Sequence, residues 1–107
     1  VTARPTDTPT AVLCGSVTRA VAALDAAERH YLAQGYTVHK PVADPSRSPE
    51  EHAERWYALI DTADVVVACR HIGAQFGSQT QAEVGYATSR GKEVLFYRHG
   101  LREERAS

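Results

Sequence analysis

Residues 64–70, Asp-Val-Val-Val-Ala-Cys-Arg, constrain this chain more than any other stretch. Five apolar residues in a row, bounded by charges, have no period-two alternation. That pattern marks a strand buried on both faces. Such a strand needs a sheet covered by helices on either side, and the flanking sequence supplies them. Residues 10–15, TAVLCG, read as a second short central strand ending in Gly. Ser16 or Thr18 then caps a helix running to about Gln34, with Val21, Leu24, Ala27, Tyr31 and Leu32 as its inner stripe and Gly35 as its stop. Residues 36–42, YTVHKPV, alternate as a strand stopped by Pro41.

A polar, Pro-rich connection, residues 43–51, reads as a loop over the ligand end. Within it Ser48, Pro49 and Glu51 announce a helix: an N-cap, a proline at the first position and an acid at the third. Ala53, Trp56, Tyr57, Ile60 and Ala63 recur at helical spacing, so this helix packs on the sheet. After residues 64–70, Ser78 serves as N-cap of a third helix, Gln81 completes its capping box and Gly91 ends it. Residues 93–98, EVLFYR, form the last strand. The order β-α-β-α-β-α-β, with short right-handed crossovers, predicts an α/β three-layer Rossmann-like (flavodoxin-like) sandwich. Its sheet has four parallel strands in the order 2-1-3-4. Residues 10–98 form one domain, residues 1–9 a mobile arm and residues 99–107 a charged tail.

Composition narrows the function. A net charge of −1 with no run of Lys or Arg argues against a nucleic-acid-coating surface. No apolar run approaches a membrane span, and the N-terminal residues lack the apolar centre of a signal peptide, so a cytoplasmic setting is expected. Cys14 and Cys69 both lie in strand-like apolar runs and read as buried thiols, neither a disulfide nor a zinc site. No metal and no redox cofactor is implied.

With the order 2-1-3-4 the sheet reverses direction between its first and third strands. In open parallel sheets the ligand lies beyond the carboxyl ends at that reversal. The two ends carry CGSVTR and CRHIGAQFGS, loops rich in small and polar residues. Gly15 lets backbone approach a ligand, and the first-turn N–H groups after Ser16 suit an anion to which Arg19 adds charge. Gly73, Gly77 and Ser78 open the other helix, so two helix N-termini converge on one crevice. The alternative is a plain strand–helix turn. Thr80, Glu83 and Ala87 share one stripe beside the sheet-facing one of Val84, Ala87 and Gly91. Glu83 then sits at the rim of the buried face, near the helix's positive end, where a carboxylate stays ionised and can act as a nucleophile.

Cys14-Gly15-Ser16, then residues 63–68, then Glu83-Val84-Gly85-Tyr86-Ala87 followed by Gly91-Lys92, resemble the nucleoside 2-deoxyribosyltransferase superfamily, which includes 2′-deoxynucleoside 5′-monophosphate N-glycosidases. The resemblance spans roughly residues 11–97. Thr80-x-x-Glu83 also resembles the T-x-x-E of lysine-decarboxylase-like phosphoribohydrolases, without their double glycine. Both imply cleavage of an N-glycosidic bond. By resemblance Glu83 attacks the anomeric carbon of a (deoxy)ribose and forms a sugar ester that water or a second base resolves with retention. Gly15 and Ser16 contact the sugar or 5′-phosphate, Ser78 faces the phosphate, Gly85 allows close helix–sheet packing, and a homodimer completes the site.

Two positions depart from the pattern. The family's first-strand tyrosine is Val12 here, and its second-helix aspartate is replaced by Arg55 and Trp56. Asp61 and Asp64 are poor substitutes, since that helix ends far from the ligand. His52, one turn before Trp56, is nearer. Trp56 belongs to the core or stacks on a base. His71 and His99 follow strands at the ligand edge, whereas His30 and His39 read as surface positions. Ile72 and Phe76 wall the base or anchor their loop, and Arg98 and Arg102 meet phosphate or join a solvated tail. The expected ligand is a nucleoside or nucleotide, bound through Cys14, Gly15, Ser16, Arg19, His71, Gly77, Ser78 and Thr80, with Glu83 and His52 doing the chemistry. A nucleotide-binding module without catalysis is the alternative; an interaction protein that merely keeps the fold is a third.

Overall fold

A computed structural model describes residues 8–71 and 76–99. Its elements are β1 (Thr10–Cys14), α1 (Val21–Ala33), β2 (Thr37–His39), α2 (Pro49–Thr62), β3 (Val65–His71), α3 (Ser78–Ser89) and β4 (Glu93–His99). The strands form one parallel sheet in the order β2-β1-β3-β4, the expected order. The reversal therefore falls between β1 and β3, where Ala11 to Cys14 pair with Val65 to Ala68.

Both central strands are buried on both faces. Ala11 and Leu13 with Val65, Val67 and Cys69 meet Ala23, Leu24, Ala27 and Tyr31 of α1. The alternate residues Val12, Cys14 and Val66 meet Trp56 and Ile60 of α2 and Ala87 of α3. Residues in β1 and β3 with no polar face thus select the helix-covered sheet. Each fully buried Leu or Ile contributes roughly 1.5–3 kcal/mol to this arrangement.

The helix ends differ from expectation in two of three cases. In α2 the capping box forms as its sequence predicts: Glu51 N donates to Ser48 Oγ at 3.1 Å and Ser48 N to Glu51 Oε1 at 2.8 Å. In α3 the N-cap is Gly77, not Ser78, and no side chain caps it. Gln81 reaches past the expected box to donate to the Phe76 carbonyl at 2.9 Å. In α1 neither Ser16 nor Thr18 is the N-cap, because a separate turn intervenes and the helix proper begins after Ala20. Its buried stripe runs through Ala23, Leu24, Ala26, Ala27 and Tyr31. Val21 and Leu32, expected inside, are 46% and 52% exposed. The run of small alanines seats the helix close to the sheet and turns those two residues outward.

Strand ends shift as well. β2 is three residues long because only Thr37, Val38 and His39 find partners on β1. Lys40 then turns away to Asp25 (2.7 Å) and Glu28 (2.9 Å) on α1. Asp64 precedes β3 and accepts from Thr10 N at 2.7 Å, far from the ligand end. Asp61 is equally remote: it takes Tyr86 Oη at 2.8 Å and Arg90 Nε at 3.3 Å, tying α2 to α3 where both finish. Gly85 was expected to permit close packing, but it is exposed and a Cβ there would meet nothing within 4 Å. Its place on the outer face of α3 is the reason.

Gly15 is the glycine that the packing requires. A Cβ there would lie 2.9 Å from the Cys69 carbonyl oxygen and 3.2 Å from Leu24 Cδ2. A strand carbonyl cannot swing aside as a side-chain tip can. Gly15→Ala should therefore cost about 1–3 kcal/mol, read from the midpoint of urea unfolding, and an unchanged midpoint would contradict this packing.

Candidate functional site

The β1–α1 turn and the carboxyl end of β3 open into a cleft of about 810 Å³, within the range of small-molecule sites. Its lining comes from the β1–α1 turn with Gly15, Ser16 and Arg19, from Cys69 and Arg70 of β3, from residues 42–44 and 47–49 with His52, and from residues 76–80. Of the sequence-predicted contacts, the structure brings Gly15, Ser16, Arg19, His52, Gly77, Ser78 and Thr80 together here. His71 is the last residue of β3 and His99 the last of β4, at the same end of the sheet. Ile72, Gly73 and Arg102 lie outside the described residues.

The expected convergence of two helix N-termini needs correction. Ser16 Oγ accepts from Arg19 N at 3.0 Å and Thr18 N at 3.3 Å, so the turn satisfies its own donors before α1 begins. The start of α2 also borders the cleft, but its capping box consumes the first donors. The start of α3 lacks a side-chain cap, and its first residues Ser78, Gln79 and Thr80 line the cleft. Unmet N–H groups and the helix dipole favour an anion there.

Side-chain charge points the same way. Arg19, Arg47 and Arg70 line the cleft against one carboxylate, Asp44. Asp44 is already engaged: it accepts from Ser46 N at 3.0 Å, Ser46 Oγ at 2.6 Å and Arg47 Nε at 3.0 Å. These bonds, the Ser46 hydroxyl foremost, hold its carboxyl below the ordinary value. Arg70 lies with its guanidinium 5.0 Å from the Phe76 ring centre, and Phe76 in turn leans on Phe96 at 5.9 Å. The loop aromatic thus supports the cation.

Glu83 is not at the rim. The stripe Thr80, Glu83 and Ala87 is itself the buried face of α3, and Glu83 is only 3% exposed. Gln79, one turn earlier, lines the cleft and donates from Nε2 to Glu83 Oε2 at 3.0 Å. Cys14 approaches from β1 and favours the ionised form of the same carboxylate. Burial pushes the Glu83 carboxyl up, partly opposed by Gln79, Cys14 and the charge of His52. Desolvation thus works against the ionised form that a helix start favours.

Cys14, expected as a substrate contact, is fully buried and does not line the cleft. Burial and then the Glu83 charge raise its thiol far above the ordinary value, so it stays protonated and can donate. Cys69 is free as well, pushed up to about 12 by burial. His52 stacks on Trp56, with ring centres 5.2 Å apart and planes 13° off parallel. Trp56 belongs to the core: it is 5% exposed and its Nε1 donates to the Leu13 carbonyl at 2.9 Å. It serves the cleft by holding His52 flat.

Sequence reasoning missed Arg70, Gln79 and Arg47. Gln79 had a legible signal, its i, i+4 spacing from Glu83. Arg70 had another, its place at the end of a switch-point strand. Arg47 had none, since only the folded 43–48 turn carries it to the wall.

Among the described residues no group of three or more His, Cys, Asp or Glu could hold a metal ion. None of the described helices is long and apolar enough to cross a membrane. No protein-family model and no curated protein sequence matches the chain. Its fold is similar to that of a solved structure described as the 2-desoxiribosyltransferase from Leishmania mexicana. That likeness has a TM-score of 0.56 and 21% identity, and covers 84% of this chain and 64% of the other. At that identity the likeness is one of fold alone: a Rossmann-like parallel sheet covered by helices.

Proposed function

We propose that this chain is an N-glycosidase or base-exchange pentosyltransferase for a nucleoside or nucleoside 5′-monophosphate, with Glu83 as nucleophile. The observation that carries the reading is a buried carboxylate, held by Gln79, beside a cationic cleft beyond the switch point. One Glu83 oxygen attacks the anomeric carbon as the bond to the base breaks, and the electron pair of that bond leaves with the base. His52 supplies a proton to the departing base. Water, or a second base, then opens the glycosyl ester from the vacated face, which gives retention. The fold of a 2-desoxiribosyltransferase supports this class of chemistry over others. A homodimer, implied by the sequence resemblance, belongs to the same reading.

The 5′-phosphate is assigned to the start of α3, with Ser78, Arg70 and Arg19 around it and the Gly15–Ser16 turn against the sugar. A charge-assisted contact of this kind contributes roughly 1.5–3 kcal/mol. The test is incubation with a panel of nucleosides and their 5′-monophosphates, free base being resolved by chromatography. Base release is expected, and its absence across the panel would end the enzymatic reading. Arg70→Gln should lower kcat/KM for a monophosphate about tenfold or more while leaving the matching nucleoside little changed. Equal losses on both would remove Arg70 from the phosphate site.

A nucleotide-binding module without turnover is the second reading. Val12, where the resembling family has tyrosine, is fully buried, and Arg55 borders a different hollow beside β2. Tight nucleotide binding with no base release would favour it.

A further inference from the structure

We infer that Gln79 is a positioning residue for Glu83: its side-chain amide, itself part of the cleft lining, holds one oxygen of the buried carboxylate. The inference rests on the nucleophile assignment above and adds a residue to it. Gln79 lies one helical turn before Glu83, lines the cleft, and donates to Glu83 Oε2 at 3.0 Å, whereas Glu83 lines no part of the cleft. The amide therefore links the cleft lining to the carboxylate through one of its two oxygens.

Two requirements meet at this link. A carboxylate 3% exposed loses most of its hydration, and an ionised oxygen needs donors in place of water. An attacking oxygen must also be aimed, which a donor on the other oxygen achieves by stopping rotation about the last side-chain bond. Gln79 supplies such a donor on the cleft side, while the Cys14 thiol of β1 favours the ionised form from the sheet side. The titratable groups acting on Glu83 are Cys14 from β1 and His52 from α2; among the described residues of β3 and β4 none does. Burial keeps Cys14 protonated. Glutamine, being uncharged, gives its hydrogen bond at every pH.

The experiment is a titration of the Glu83 carboxyl in the intact protein by carbon-13 NMR of labelled glutamate, assigned by the signal lost in Glu83→Gln. Gln79→Leu keeps the side-chain bulk and removes the donor. It should move the Glu83 midpoint up by about one pH unit. Gln79→Asn, whose shorter amide withdraws from the carboxylate, should move it in the same direction, and Gln81→Leu, on the same helix, should leave it in place. With substrate, Gln79→Leu should lose about tenfold in kcat below the shifted midpoint and recover it at higher pH, with KM unchanged. An unmoved midpoint in Gln79→Leu overturns the inference. A midpoint that moves in a protein releasing no base leaves Gln79 holding Glu83 and refutes the enzymatic reading instead. A loss in kcat that is equal at all pH values, with the midpoint unmoved, would mark Gln79 as a substrate contact.

Discussion

Glu83→Gln should abolish release of base from whichever nucleoside or nucleotide the native protein cleaves, with a fall in kcat of about a thousandfold or more. The substitution exchanges one oxygen for an amide nitrogen at nearly constant volume. The side chain still fills its place on the buried stripe of α3 and can still accept from Gln79. What it cannot do is donate an electron pair to the anomeric carbon. Binding should be retained, because Glu83 is not among the residues that line the cleft.

The same substitution should stabilise the protein at neutral pH, and the sign can be worked out. Burial raises the carboxyl of Glu83 in the folded chain, whereas in the unfolded chain it keeps its ordinary value. Between those values the folded state binds more protons than the unfolded one, so stability falls as pH rises through that window. The full contribution is present below the ordinary carboxylate value and is gone above the raised one. Glutamine carries no such penalty, so thermal unfolding of Glu83→Gln should occur at a higher temperature at pH 7 and converge with the native protein in acid. By the same reasoning kcat/KM of the native protein should climb with pH through the raised value. A variant both inactive and less stable at pH 7 would contradict the account of Glu83 as a desolvated charge.

Trp56→Ala should be the most destabilising single change outside the site. The indole is 5% exposed, packs in the core between α2 and the sheet, and donates to the Leu13 carbonyl near the carboxyl end of β1. Truncation removes the buried ring, leaves a cavity and strips a buried acceptor of its partner, together about 3–5 kcal/mol. A domain of this size holds only about 5–15 kcal/mol in all. Trp56→Phe separates the terms: it retains most of the packing and loses the donor, for about 1–2 kcal/mol. Urea unfolding at constant slope reads both. A cost under about 1 kcal/mol for Trp56→Ala would mean that α2 is not anchored through this residue.

The strand order and the helix-covered sheet were legible because their cause is local. Residues 65–69 have no polar face to show to water, and Ser48-Pro49-Glu51 fit a helix start in sequence alone. The misread places depend on tertiary context. Ser78 and Gln81 have the spacing of a capping box, yet the chain enters α3 one residue earlier, through Gly77. Ser16 looks like a helix cap and instead closes a turn upon itself, because Gly15 must pass within contact distance of Cys69. Glu83 belonged by composition on a wet rim. Its burial follows from the small residues Thr80 and Ala87 on the same stripe, which bring α3 close against the sheet. The cleft itself was foreseeable as a position but not as a surface: Arg47 and Arg70 reach it only once the 43–48 turn and the end of β3 are in place.

In the proposed mechanism the buried Glu83 carboxylate becomes bonded to the sugar. Intact-protein mass spectrometry during turnover, followed by peptide mapping after acid quench, tests it most directly. The native protein should gain the mass of one pentosyl or phosphopentosyl group on the peptide that contains Glu83, and Glu83→Gln should gain none. Base release by Glu83→Gln at the native rate, with no adduct on either protein, would contradict the account.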